Sequence, residues 1–124
     1  MDNNELELIG QRIVNDKDEI SRKLAYWKFK NKTFAFVYGY FDELTKDVIG
    51  YLSNASNETN RLIVGVYSDR LSKENGRSTN NNETDRAMLA ASLRFVNVVT
   101  ILDEPVEDMI AFLQPDAMPK GSDY

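Results

Sequence analysis

The sequence contains no histidine and no cysteine among its 124 residues, and only three prolines. Without histidine there is no imidazole base, no Ser-His-Asp triad and no histidine metal ligand. Without cysteine there is no disulfide framework, no thiolate nucleophile and no zinc–thiolate centre. Acid–base chemistry would therefore fall to carboxylates, lysine or tyrosine. No apolar run approaches the length of a membrane span. The opening residues Met1-Asp2-Asn3-Asn4-Glu5 are acidic and polar, so no signal peptide is predicted and a cytoplasmic location is expected. A net charge of -5 and a pI near 4.7 weigh against general affinity for nucleic acid or an anionic membrane, and neither is expected as a partner. Four N-x-[ST] patterns, at Asn31, Asn54, Asn57 and Asn82, read as chance in an asparagine-rich chain without a leader.

What is present fits one soluble domain with a real core: 42% of residues are hydrophobic and 28% charged. Residues 5–14 place Leu6, Ile9 and Ile13 at helical spacing, interrupted by Gly10. Asp16 followed by Glu19 resembles a capping box opening a helix to about Lys28, with Ile20, Leu24 and Trp27 on one stripe. Trp27 reads as a core or docking residue, and the aromatics Tyr26-Trp27-Phe29 are expected to pack on the chain's own sheet. Continuous aromatic and β-branched runs at residues 33–38, 61–67 and 97–102 predict three buried strands. Residues 44–55 and 84–95 predict helices, and Pro105 suits the first turn of another over residues 106–113. Residues 72–82 read as a polar loop, and residues 115–119 as a short fourth strand limited by Pro119. Alternating strands and helices imply a three-layer α/β, Rossmann-like domain with a mainly parallel sheet. The division expected is a helical lead-in at residues 1–32 and the α/β body at 33–124, forming one compact domain.

In an open parallel sheet, ligands sit beyond the carboxyl ends of the strands. The first strand ends at Tyr38-Gly39, so residues 39–48 should line that crevice. Gly39 would let backbone approach a ligand, and the start of the following helix offers free N–H groups suited to phosphate. Asp69 and Asp103 end the second and third strands, an arrangement also expected of a phospho-acceptor receiver domain, although strand-end acids are common.

Residues 34–49, then Arg61-Leu62-Ile63-Val64-Gly65-Val66-Tyr67-Ser68-Asp69, then Thr84-Asp85-Arg86-Ala87 with Leu89-Ala90-Ala91, resemble the cytidylyltransferase-like nucleotidyltransferases. The resemblance is to the branch that activates heptose phosphates for lipopolysaccharide synthesis. The run from Gln114 to Tyr124, with Pro115-Asp116 and Lys120-Gly121-Ser122-Asp123-Tyr124, is similar to that branch's "PD…KGGDY" segment. The resemblance covers roughly Asp16 to Tyr124. It implies a nucleotide site drawn from Tyr38, Gly39, Tyr40, Phe41, Asp42, Lys46, Asp69, Arg86 and Lys120. It also implies transfer of a nucleotidyl group from CTP or ATP to a phosphate with Mg²⁺, and homodimers, which family members often form.

The family's signature is His-x-Gly-His, just after the stretch matching Gly39-Tyr40-Phe41-Asp42. Here those four positions are Thr45, Lys46, Asp47 and Val48. Both imidazoles that would hold the triphosphate are replaced, and Asp47 should repel it. The lysine before a glycine in the family's mobile loop appears as Asn75-Gly76, with Arg77 nearby. The expectation is a degenerate cytidylyltransferase-like protein without nucleotidyl transfer, serving as a nucleotide-binding or interaction module whose partner is a nucleotide or a paralogous enzyme. No resident metal is then expected. The alternative is an active nucleotidyltransferase in which Lys46, Arg77, Arg86 or Lys120 replaces imidazole, with Mg²⁺ and CTP or ATP.

Overall fold

The computed structural model describes residues 4–120 and Tyr124. Three parallel strands form its centre: β1 (Phe34–Gly39), β2 (Arg61–Tyr67) and β3 (Val98–Leu102), in the order β1-β2-β3. The register runs from Phe34 opposite Arg61 to Gly39 opposite Val66, and from Ile63 opposite Val98 to Tyr67 opposite Leu102. Both outer edges are extended by single bridges. Ala117 joins β1 at Ala35, and Ile13 joins β3 at Val99. Ala117 lies on the opposite side of β1 from β2, so the chain reverses its direction of winding at β1. The crevice beyond Gly39 therefore lies at the switch point of the sheet.

Six helices complete the described fold: α1 (Asn4–Gly10), α2 (Lys17–Phe29), α3 (Lys46–Ser56), α4 (Asp69–Glu74), α5 (Glu83–Ala91) and α6 (Val106–Leu113). Strands buried on both faces explain the unbroken apolar runs in the sequence. On one face Ala35, Val37, Val64 and Val66 pack with Val48, Leu52 and Ala55 of α3 and Ala87, Ala90 and Ala91 of α5. On the other, Phe34, Phe36 and Ile63 pack with Ile20 and Trp27 of α2 and Val106 and Leu113 of α6.

The helical segment read over 5–14 with an interruption at Gly10 does end at that glycine, and Arg12 and Val14 then exchange backbone hydrogen bonds with Val99 of β3. Several elements end elsewhere than the sequence predicts. The helix expected over 84–95 stops at Ala91, and the Arg12 guanidinium takes up the carbonyls of Ala91 and Leu93 there. The stretch expected as loop from Ser72 begins inside α4, which Ser68 opens by accepting a hydrogen bond from the Leu71 N–H at 3.1 Å. Six residues are too few to show a helical period. The fourth strand shrinks to the Ala117 bridge. Of the aromatic trio on α2, Trp27 is buried against Phe34, with ring centroids 5.9 Å apart, but Tyr26 and Phe29 do not pack on the sheet; they are 59% and 81% exposed.

Candidate functional site

The site is built at the end of β1. Gly39 leaves room for a close approach there: a Cβ would come within 3.1 Å of the Tyr124 carbonyl carbon and 3.2 Å of the Phe41 ring. Phe41 then takes a left-handed conformation, φ 50°, with its side chain 1% exposed. A buried phenylalanine at positive φ is strained, and it persists only where surrounding contacts fix it. Those contacts are on hand. The Phe41 N–H donates to the Tyr124 carbonyl at 2.9 Å, and the preceding carbonyl, of Tyr40, accepts from Arg86 Nη1 at 2.9 Å.

Arg86 is fully buried, and its guanidinium is held by protein groups. Besides Tyr40 it donates from Nε to the Asn81 carbonyl at 2.9 Å and from Nη2 to Asp69 Oδ1 at 2.8 Å. Asp69, named as a nucleotide-site candidate by the sequence, is thus one end of an internal ion pair. One side chain ties together the turn after β1, the start of α4 and the loop before α5.

Asp42 fastens the same loop from the other side. Its carboxylate accepts from the backbone N–H groups of Asn80 at 2.7 Å and Asn81 at 2.9 Å, and from Asn81 Nδ2 at 3.1 Å. Desolvation pushes the Asp42 carboxyl upward, but these three hydrogen bonds and the Arg86 charge outweigh it and hold it below its ordinary 3.8. The Asn80-Asn81 pair escaped the sequence reading, which saw only a polar loop.

Thr45 caps α3, its hydroxyl accepting from the Val48 N–H at 3.3 Å. Lys46 is exposed, Asp47 is exposed, and Val48 is buried in the core. A cleft of about 530 Å³ opens beside them, lined by Asp42, Glu43, Thr45, Asp47 and Val48, by Arg77 and Ser78, and by Tyr124. Its lining carries three carboxylates and one guanidinium. Lys46 and Lys120 do not converge on it; both point to solvent. Gly121, Ser122 and Asp123 of the family-like tail lie outside the described residues.

Arg77 is the cation that does reach the cleft, stacked 4.5 Å over the Tyr40 ring. Asn75 Nδ2 donates to the Tyr40 hydroxyl at 3.2 Å, so residues of the Asn75-Gly76-Arg77 turn grip Tyr40 at both ends. Tyr40 lies 4.8 Å from Tyr67, which in turn meets Tyr38 edge-on at 6.1 Å; Tyr38 is half exposed. Tyr51 donates to the Pro119 carbonyl at 3.1 Å and packs 5.1 Å from the Tyr124 ring. Desolvation, with Tyr124 and Tyr38 adding, raises the Tyr51 phenol above its usual value.

The donor set does not by itself cage a divalent cation. Asp42 has both oxygens engaged by backbone and amide donors, and among the described residues no group of three or more acids is placed to hold a metal. Asp103, the other strand-end acid, accepts from the Ser68 hydroxyl at 2.7 Å and from Arg70, whose Nη2 also donates to the Asp103 carbonyl. The Ser68 bond, and then Arg70, hold its carboxyl below its ordinary value against desolvation. The two strand-end acids are therefore paired to separate arginines and share no site.

A parallel three-stranded sheet covered by helices on both faces, with its crevice at a glycine turn after β1, defines a Rossmann-like domain. In sequence the chain is similar to one part of the bifunctional HldE proteins, in keeping with its resemblance to the cytidylyltransferase-like nucleotidyltransferases. It is 41% identical over 96 residues to the bifunctional protein HldE of Campylobacter fetus, a match covering 75% of this chain and 21% of that protein. It is 38% identical over 118 residues to the HldE of Campylobacter jejuni subsp. doylei, covering 92% and 25%. With the HldE of Methylobacillus flagellatus the identity is 34% over 114 residues, covering 90% and 23%. The chain spans about a quarter of the length of the curated relatives it matches. No family model matches the sequence. Among solved structures, the lipopolysaccharide core biosynthesis protein of Thermoplasma volcanium matches with a TM-score of 0.66 over 70% of this chain and 72% of that one; at 23% identity it speaks to the fold. No helix among the described residues is long and apolar enough to cross a membrane.

Proposed function

We propose that this chain is a cytidylyltransferase-like domain that has lost nucleotidyl transfer and serves as a binding or assembly module. The observation that carries the proposal is the use made of residues 45–48. Thr45 caps α3, Lys46 faces solvent, Asp47 adds negative charge to the cleft, and Val48 is core. None supplies the preorganised positive charge on which phosphoryl chemistry depends; one such donor is commonly worth about 10²–10³ in rate. A cleft with three carboxylates and one arginine favours a ligand of low negative charge. The ligand proposed is a nucleoside or its monophosphate, met by Arg77, with the ring of Tyr40 beneath. A paralogous enzyme is the proposed protein partner, and a homodimer the proposed alternative to it.

Calorimetry with CMP, AMP, CTP and ATP, with and without Mg²⁺, tests the ligand. Heat with the monophosphates and little with the triphosphates supports the reading. No heat with any of them removes its nucleotide part and leaves the assembly role.

A second reading keeps the enzyme active with Arg77 in place of the imidazoles, since Arg77 lines the cleft. Lys46, Lys120 and the buried Arg86 lend it less, for they do not reach the lining.

A further inference from the structure

Charge in this chain is strongly polarised. Between Lys17 and Lys32 lie six of the fifteen lysines and arginines but only two of the twenty acids, within a chain of net charge -5. Most of that charge is displayed on α2 and the turn that follows it. Around Tyr26, the residues four and three before it are Arg22 and Lys23, and those three and four after it are Phe29 and Lys30. On a helix these form one continuous stripe. Tyr26 and Phe29 are 59% and 81% exposed, and Lys30 Nζ sits 6.0 Å over the Tyr26 ring. None of Arg22, Lys23, Lys30 or Lys32 is in an ion pair with another described residue. The stripe flanks the side of α2 that buries Ile20 and Trp27, with Lys23 half-buried at that boundary and the exposed Glu19 beside Arg22 and Lys23.

We propose that this face, with Tyr26 and Phe29 set among Arg22, Lys23 and Lys30, docks the chain onto an anionic lipid surface. Pairing α2 with α2 of a second copy would set these cations against one another. The cations are mainly lysine, which is depleted from the cores of protein–protein interfaces. A helix flank is convex, whereas single-stranded nucleic acid is tracked by grooves. A bilayer is planar and anionic, and takes exposed aromatic rings at headgroup depth beside lysines that meet lipid phosphate. The acidity of the whole chain does not forbid this, because charges beyond a Debye length of about 8 Å are largely screened. The C-terminal turn of α2 leads to the N-terminal end of β1, while the cleft lies beyond the other end of that strand. Docking therefore leaves the cleft open to solution.

Co-sedimentation of the full chain with vesicles of equal parts phosphatidylglycerol and phosphatidylcholine, against phosphatidylcholine alone, tests this. Binding to the anionic vesicles, absent from the neutral ones and weakened by salt, is expected. Arg22→Glu with Lys30→Glu should lower partitioning by about fivefold for each cation lost. Tyr26→Ser with Phe29→Ser should lower it by roughly tenfold, with the unfolding midpoint unchanged in both variants. No binding to anionic vesicles at low salt would overturn the proposal, as would variants that partition like the wild type. So would binding of a single-stranded oligonucleotide or of polyglutamate through these residues without binding to vesicles.

Discussion

Arg86 Nη2 lies 2.8 Å from Asp69 Oδ1, and the guanidinium that makes this bond is fully buried while the carboxylate is half exposed. The pair joins the start of α5 to the start of α4. Two further bonds from the same guanidinium reach the carbonyls of Asn81 and Tyr40. Arg86 is thus a positioning residue for the whole crevice. Replacing it with Met would leave three acceptors short of a donor, at about 2–4 kcal/mol of folding stability. Chemical denaturation of Arg86→Met measures this; a midpoint equal to the wild type's would show that the network carries no weight.

The Asp42 carboxyl is held low, so its contribution to stability is present above the unfolded value and is lost as pH falls through the lowered folded one. Stability should therefore decline below about pH 4, and Asp42→Asn should flatten part of that decline. With no histidine in the chain, no side chain of ordinary pKa titrates between about pH 5 and 8, and stability should be nearly level across that range. Denaturation midpoints over a pH series check both statements.

Thr45 holds the start of α3, at a position where the resemblance would place an imidazole. Thr45→Ala should cost about 1 kcal/mol through loss of the α3 cap, whereas Thr45→Ser should cost little. Thermal unfolding of the two variants distinguishes capping from any other use of the hydroxyl.

Asp47 sets a carboxylate on the wall of the cleft, where it should repel anions. Asp47→Asn should strengthen binding of CTP or ATP by about fivefold, the worth of roughly 1 kcal/mol between charges near a protein surface. The monophosphates should gain less. Arg77→Ala should act oppositely, weakening monophosphate binding without shifting stability by more than the ~0.5–1 kcal/mol of its contact with Tyr40. Titration calorimetry on these two variants reads the electrostatics of the cleft directly.

Much of the scaffold was legible from residue pattern. The runs ending at Tyr38, Tyr67 and Leu102 are strands, and Val48, Leu52 and Ala55 face the core of α3 as their spacing implies. The site was legible only in part. Arg86 sits in an ordinary helical pattern, and its partners at Asp69 and Tyr40 are 17 and 46 positions away, so nothing local marks it as buried. The grip of Asn80 and Asn81 on Asp42 spans 38 and 39 positions. Helix α4 was hidden by its length, since six residues with Leu71 as their single aliphatic side chain show no period. The exposure of Tyr26 and Phe29 was hidden by composition, because aromatic residues beside a buried tryptophan read as core.

The central claim is that the scaffold persists while the transfer chemistry has gone. Pyrophosphate release tests it most directly, measured with CTP and with ATP, in Mg²⁺, across sugar and polyol phosphates. The account predicts no release above the uncatalysed rate with any pair. Release that matches formation of a nucleotidyl product, and that disappears in Arg77→Ala, would contradict it.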